Sequence, residues 1–245
     1  MKTNQYQRRF YRDWVKAKDL RFSCVNFKET DLQILTDKPL DKEFVRERIH
    51  LYRWDIENYI IKDRRFLTAL KPIEVELNAP PIVKEMNAAA KLANVGPMAA
   101  VAGAIAQFIG KDLLKKGYKD VIIENGGDIF LASRRSRVVR IYTGLPKIWK
   151  NLSIKIAPRA MPLGICTSSG TIGHSLSFGS ADSVVILSKN AALADAAATA
   201  VSNRVQSKED LQNALKFVRS IKGLKGAIII TKNNLASWGE FKFVK

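Results

Sequence analysis

Hydrophobic spacing changes character several times along the chain, and each change predicts an element. Residues 20–35 alternate, with Phe22, Cys24 and Asn26 on one side of the count and Leu32 and Ile34 later, which predicts a hairpin turning near residues 28–31. From 41 to 61 the apolar positions Phe44, Ile49, Trp54, Ile56 and Tyr59 recur among charges at helical intervals. Pro72, Pro80 and Pro81 mark an extended segment, and residues 82–93 then read as a helix. Gly96-Pro97 opens an Ala-rich helix, with proline where the first turn tolerates it. Its small residues Ala99, Ala100, Ala102, Gly103, Ala104 and Ala106 allow close approach to neighbours. Residues 119–123 predict a buried strand ending in Asn125-Gly126-Gly127-Asp128, with 129–132 and 138–142 continuing the same sheet. Strands at 152–157 and 183–187, helices at 191–203 and 208–221, and a last strand at 227–231 complete an α+β or mixed α/β pattern.

Composition narrows the setting. A chain of 245 residues with 47% hydrophobic content can fill a core, so disorder is not expected. The longest apolar run, 95–110, contains Gln107 and falls short of the ~20 residues of a membrane span, so a buried soluble helix and no membrane partner are expected. The first 19 residues are crowded with Arg, Lys, Tyr and Trp and lack the apolar segment of a secretory signal, which favours a cytoplasmic location. Cys24 and Cys166 are too few for a disulfide framework. The net charge of +18 attracts anions, whether nucleic acid, acidic headgroups or phosphorylated metabolites. No basic low-complexity tail, RNP-like aromatic stripe or repeat accompanies it, so a nucleic-acid-binding role rests on charge alone.

Three constellations can carry chemistry. In Glu124-Asn125-Gly126-Gly127-Asp128 the glycines permit positive φ and close backbone approach, while Asn125 and Asp128 supply hydrogen-bonding groups; a plain hairpin turn fits the same residues. Residues 164–179, GICTSSGTIGHSLSFG, combine hydroxyls, glycines and His174 in what reads as a loop. Such a loop can form an anion-binding nest beside an acid–base group, or be merely flexible. His50, on a helix, is expected to pack or face solvent, and Cys166 to be a small buried side chain rather than a nucleophile. In Ala194-Asp195-Ala196-Ala197-Ala198-Thr199, a helix stacks Asp195 and Thr199 on one face, an all-oxygen corner suited to Mg²⁺; the competing reading is that Asp195 begins its helix and Thr199 bonds back to it. No acidic residue lies between Asp128 and Asp182, whereas Arg134, Arg135, Arg137, Arg140, Lys147, Lys150, Lys155 and Arg159 do. This is either a solvated basic face or a positive funnel toward a phosphorylated small molecule.

Taken in order, these motifs resemble the ApbE family of FAD:protein FMN transferases, and more closely an uncharacterised prokaryotic branch described as ApbE-like. The resemblance is carried by Gly96-Pro97-Met98-Ala99, Asn125 to Asp128, Thr167-Ser168-Ser169-Gly170 with His174, and Asp195 to Thr199. Toward the prokaryotic branch it extends to Glu29-Thr30-Asp31. It implies a single T-fold-like α+β domain over 1–245, with a hairpin and helix portion (1–81) and a site-bearing portion (82–245). A flavin nucleotide, FAD or FMN, would contact Gly96, Met98, Asn125, Gly126, Gly127, Asp128, Thr167, Ser168, Ser169 and Gly170. Mg²⁺ would sit on Asp195, Thr199 and the carbonyl of Ala198, with His174 at the reacting end. FMN would pass to an acceptor protein, by a monomer or a homo-oligomer. Two departures stand out: His174 is followed by Ser175-Leu176-Ser177-Phe178-Gly179 without an acidic partner, and Val95 to Ala99 lacks the lysine found at the transferases' helix opening. Ligand binding without turnover is therefore the alternative implied.

Overall fold

Alternation at the N-terminus produces the hairpin β1 (Arg21–Phe27) and β2 (Thr30–Thr36), which turns through Lys28 at φ 51. The computed structural model describes residues 17–141, 149, 152–168 and 181–244. After the hairpin come α1 (Lys42–Lys62), α2 (Arg65–Thr68), α3 (Pro81–Ala93), a 3-10 turn (Pro97–Ala100) and α4 (Val101–Lys115). The strands β3 (Val121–Asn125), β4 (Asp128–Ala132), β5 (Arg137–Arg140), β6 (Ser153–Ile156), β7 (Leu163–Ser168) and β8 (Ser183–Ser188) follow. The remainder is α5 (Ala191–Ser202), α6 (Leu211–Ser220), β9 (Leu224–Thr231), β10 (Asn234–Gly239) and β11 (Lys242–Val244). Asp41 starts α1 by accepting from the amide of Phe44 at 3.0 Å, a side-chain cap for an otherwise orphan donor.

Eight strands pair antiparallel in the order β1-β2-β3-β4-β7-β8-β9-β10, and three form a second sheet, β11-β6-β5. The fold is α+β. Side chains alternate across the large sheet, so Ile123, Phe130, Val184, Ile186 and Ile229 meet the helices on one face. Ile122, Leu131, Val185, Leu187 and Ile228 meet Val139, Ile154 and Ile156 of the small sheet on the other. The helix-side core draws on residues from Val25 to Ala236, so the N-terminal hairpin and the later strands share it.

Three expectations change. The strand expected over 138–142, described as far as 141, does not continue the large sheet: as β5 it pairs with β6, from the strand expected at 152–157, and the two fold over the second face. The GICTS stretch is not a loop but the central strand β7, paired to β4 and β8 on its two edges and buried along nearly all its length. Small and hydroxyl residues occupy it because α5 lies against it. A Cβ on Gly164 would come 2.4 Å from Ala191 Cα. The Gly96-Pro97 segment enters α4 through a 3-10 turn rather than directly.

No single described helix is long and apolar enough to cross a membrane; α3 with the turn and α4 passes only as a pair bent by 104°. Both helices contribute residues to the core. The basic run also resolves. Arg137 binds Asp19 at 2.6 Å and Arg134 binds Asp120 at 2.6 Å. Burial of Asp120 opposes ionisation, yet the Ser133 hydroxyl and Arg134 overcome it and hold the carboxyl down to about 2. Arg137 ties β5 to the chain entering β1 and Arg134 ties the end of β4 to the chain entering β3, while Arg140 and Lys155 lie exposed on the small sheet, on the side away from the helices. The described part of the run is therefore structural or solvated, not a funnel to the helix side.

Gly164→Ala forces backbone apart at the tightest strand–helix approach, so it should destabilise the protein by about 1–3 kcal/mol, read as a lower urea midpoint at unchanged m-value. An unchanged midpoint would show that α5 yields without cost.

Candidate functional site

At one end of the large sheet β3 and β4 are joined by Gly126-Gly127, with Asn125 opposite Asp128 and both glycines at positive φ, 66 and 106. This is the two-residue hairpin turn that Gly-Gly favours. Among the described residues no atom lies within 4 Å of where a Cβ would stand on either glycine, so the turn presents open backbone.

Asn125 and Asp128 share the face of Ile123 and Phe130, which points at the helices. Asn125 Nδ2 donates to the carbonyl of Ala102 at 3.1 Å. From α5, Asp195 Oδ2 accepts the amide of Gly103 at 2.9 Å. Two side chains from distant elements thus fasten on consecutive residues at the start of α4. Asp195 does not begin its own helix, because Asn190 caps α5 by accepting from the Leu193 amide at 3.0 Å. Instead Asp195 serves the N-terminus of another helix, where orphan amides and the dipole favour a carboxylate. Of the 12 residues of α5, all but Asp195 and Thr199 are buried, and those two form one accessible stripe. Ala198, beside them, is buried.

Asp128 Oδ1 accepts the amide of Thr167 at 3.2 Å. Burial raises the Asp128 carboxyl well above the usual range and the charge of Asp195 raises it further, against the lowering contacts of the Cys166 thiol and the Thr167 amide. Burial likewise pushes Asp195 up to about 7, although the Gly103 and Ala102 amides favour its ionised form. The Cys166 thiol is buried and its ionisation suppressed, first by burial and then by both carboxylates. It therefore behaves as a weak donor, not a nucleophile. A buried acid and a partly exposed one repel each other here, and a cation would relieve both.

The remaining expected residues fall into place unequally. Thr167 and Ser168 end β7 beside Asp128, and Ser168 shares the helix-facing side with Cys166. Its Oγ is buried and has no hydrogen-bond partner among the described residues. Met98 is partly exposed in the 3-10 turn. Gly96 has a packing reason to be glycine, since a Cβ would stand 1.7 Å from the carbonyl oxygen of Ala69. Ser169, Gly170 and His174 lie outside the described residues. His50 is exposed on α1, edge-on to Phe27 and stacked on Trp54, a packing role. Sequence reasoning missed the Gly103 amide and the Ala102 carbonyl, which are backbone groups without a side-chain signature. A glycine interrupting an alanine helix was the available signal.

Among the described residues no three His, Cys, Asp or Glu side chains are placed to hold a metal. A cation here would lean on hydroxyl, carbonyl and water oxygens, a set that suits Mg²⁺ and not zinc.

The raised acids make stability depend on pH. Folded Asp195 keeps its proton where the unfolded chain, near 3.8, has lost it, so its contribution is present below 3.8 and is lost as pH rises to about 7. In metal-free buffer, Asp195→Asn should gain on the parent by about 2 kcal/mol between pH 4 and 7, a figure discounted for the partial exposure of Asp195. Urea unfolding across that range checks it; parallel parent and variant curves would refute the shift.

Comparison with known proteins agrees with this architecture. The family model described as "AbpE bacteria" matches residues 12–236. A UPF0280 protein from Methanosarcina acetivorans is 42% identical over 214 residues, covering 87% of this chain and 84% of that one. UPF0280 protein MJ1526 from Methanocaldococcus jannaschii is 38% identical over 218 residues, covering 87% and 88%. Among solved structures, the flavin transferase ApbE from Vibrio cholerae superposes with a TM-score of 0.58 at 12% identity, covering 89% of this chain and 96% of that one. The apo flavinyl transferase ApbE of Pseudomonas stutzeri gives 0.58 at 12% identity, covering 89% and 94%. At that identity the structures speak for the fold, while the family model and the UPF0280 relatives place the sequence: the chain belongs to the ApbE-like family, in the branch formed by the UPF0280 proteins.

Proposed function

We propose that the protein is a Mg²⁺-dependent enzyme acting on a flavin nucleotide, either moving FMN from FAD to a Thr or Ser hydroxyl of an acceptor protein or cleaving a related phosphoester. The observation that carries this reading is the meeting of Asn125, Asp128 and Asp195 at the start of α4, with both acids held away from ionisation. Their mutual repulsion fits a site built around a divalent cation, and family membership supplies the flavin.

In this reading Asp195, Thr199 and the Ala198 carbonyl hold Mg²⁺, which neutralises phosphate charge and polarises the phosphoryl group. The protein's own residues bind and orient. Gly126 and Gly127 leave room for the nucleotide against the backbone, Asn125 fixes the turn to α4, and Thr167 and Ser168 offer hydroxyls, that of Ser168 having no partner among the described residues. Met98, Asp128, Ser169 and Gly170 complete the nucleotide contacts, with Gly96 holding the turn that carries Met98. His174 acts as acid or base at the reacting end. Asp195 takes the Gly103 amide of α4, and Gln107 and Asn190 take the Ala191 and Leu193 amides of α5, which favours a cation over bare amides as the phosphate's partner.

A second reading, a binder that retains the pocket without turnover, is favoured by one feature: no acidic residue lies between His174 and Asp182 to orient the histidine.

Purified protein incubated with FAD and Mg²⁺ should bind or split flavin, scored by fluorescence and by phosphate-ester products. Asp195→Ala should lose Mg²⁺ dependence and at least about 10²-fold in turnover while keeping its helical circular dichroism. Binding without turnover, unaffected by His174→Ala, selects the second reading. Absence of any FAD or nucleotide binding removes both.

A further inference from the structure

Asp195 sits one helical turn beyond the start of α5, so whatever fixes that start also fixes its carboxylate. The start is gripped from three elements. Gln107, almost wholly buried on α4, accepts the Ala191 amide through Oε1 at 2.7 Å. Its Nε2 donates at 3.1 Å to Glu85 Oε1 on α3, and the same oxygen accepts Asn190 Nδ2 at 2.5 Å. Asn190 in turn caps Leu193. On the opposite side the Ala191 carbonyl accepts the Cys166 thiol at 3.3 Å, and the bare Cα atoms of Gly103 and Gly164 close the remaining space. The first residue of α5 is therefore bound at its amide, its carbonyl and its Cα.

This exceeds what capping requires. Asn190 alone would cap α5, whereas the Gln107 bond links α5 to α4, the helix whose Gly103 amide Asp195 engages. Gln107 and Gly103 lie four residues apart on α4, as do Ala191 and Asp195 on α5, so the two bonds are rungs of one ladder, one turn apart. We propose that Gln107, oriented by Glu85 and Asn190, is a positioning residue: it sets the register of α5 on α4 and so aims Asp195 and Thr199 at the site. The aiming is a property of the fold; its use in holding Mg²⁺ rests on the function proposed above.

The test separates these two layers. Gln107→Leu keeps the volume but leaves the Ala191 amide without an acceptor, and Glu85→Ala loosens the same chain from its half-buried end. Amide hydrogen exchange of Gly103 in metal-free protein reads the Asp195 bond directly. The inference expects at least about 10-fold faster exchange at Gly103 than the loss of global stability explains. It also expects about 10-fold weaker Mg²⁺ binding by calorimetry, the size found for residues that orient metal ligands. Glu85→Gln keeps an acceptor oxygen for both Gln107 Nε2 and Asn190 Nδ2, and should leave both readings near the parent's. Gly103 exchange that changes only with global stability in Gln107→Leu and Glu85→Ala overturns the inference. If the parent fails to bind Mg²⁺, the metal assignment falls, while the Gly103 measurement still decides whether Gln107 sets the register.

Discussion

The close approach of α5 to β7 and α4 is the constraint from which the rest of the structure follows. A helix can lie this near a strand only if both lose their side chains at the crossing, and here Gly164, Gly103 and Ala191 meet with backbone atoms in contact. The alanines that surround Asp195 satisfy the same demand along the rest of the helix. Along the enclosed helix only Asp195 and Thr199 keep partial exposure.

Enclosure also explains the electrostatics. Asp128 is buried and Asp195 partly so, and backbone amides are among the groups that offset the loss of water, so the two acids resist ionising together. Elsewhere the protein treats carboxylates differently. Asp120 is as buried by area as Asp128, yet Ser133 and Arg134 keep it ionised. One chain thus holds two kinds of buried acid: one neutralised by an arginine and closed as a structural joint, the other left short of positive charge. That difference separates scaffold from site more sharply than the charge count does.

Much of this was legible in the sequence where a pattern is local. The period-two hairpin, the helix over 191–203 and the Asn125 to Asp128 turn were all readable, since alternation, helical spacing and glycine φ preferences are properties of neighbouring residues. β7 was misread because its two faces are both covered, so Gly164, Cys166 and Thr167 show no alternation and their small size reports the proximity of α5. The second sheet was hidden for a similar reason: β5 and β6 look like any half-buried strands, and only the partner decides which sheet they join. For the site, Asp195 and Asp128 could be nominated from residue type, but their meeting at α4 runs through a glycine amide and an alanine carbonyl that sequence does not advertise.

The small sheet has a consequence for the order in which the molecule can be assembled. β6 pairs with β5 on one edge and with β11 on the other. In a chain made from its N-terminus, the first of these pairings forms from near neighbours, but the second edge stays open until the segment after β10 has been synthesised. Ile154 and Ile156 of β6 pack in the core between the two sheets, so until then one backbone margin of their strand has no partner. The last described strand thus covers an edge and not a core: it gives β6 its second backbone partner while its own side chains stay largely exposed.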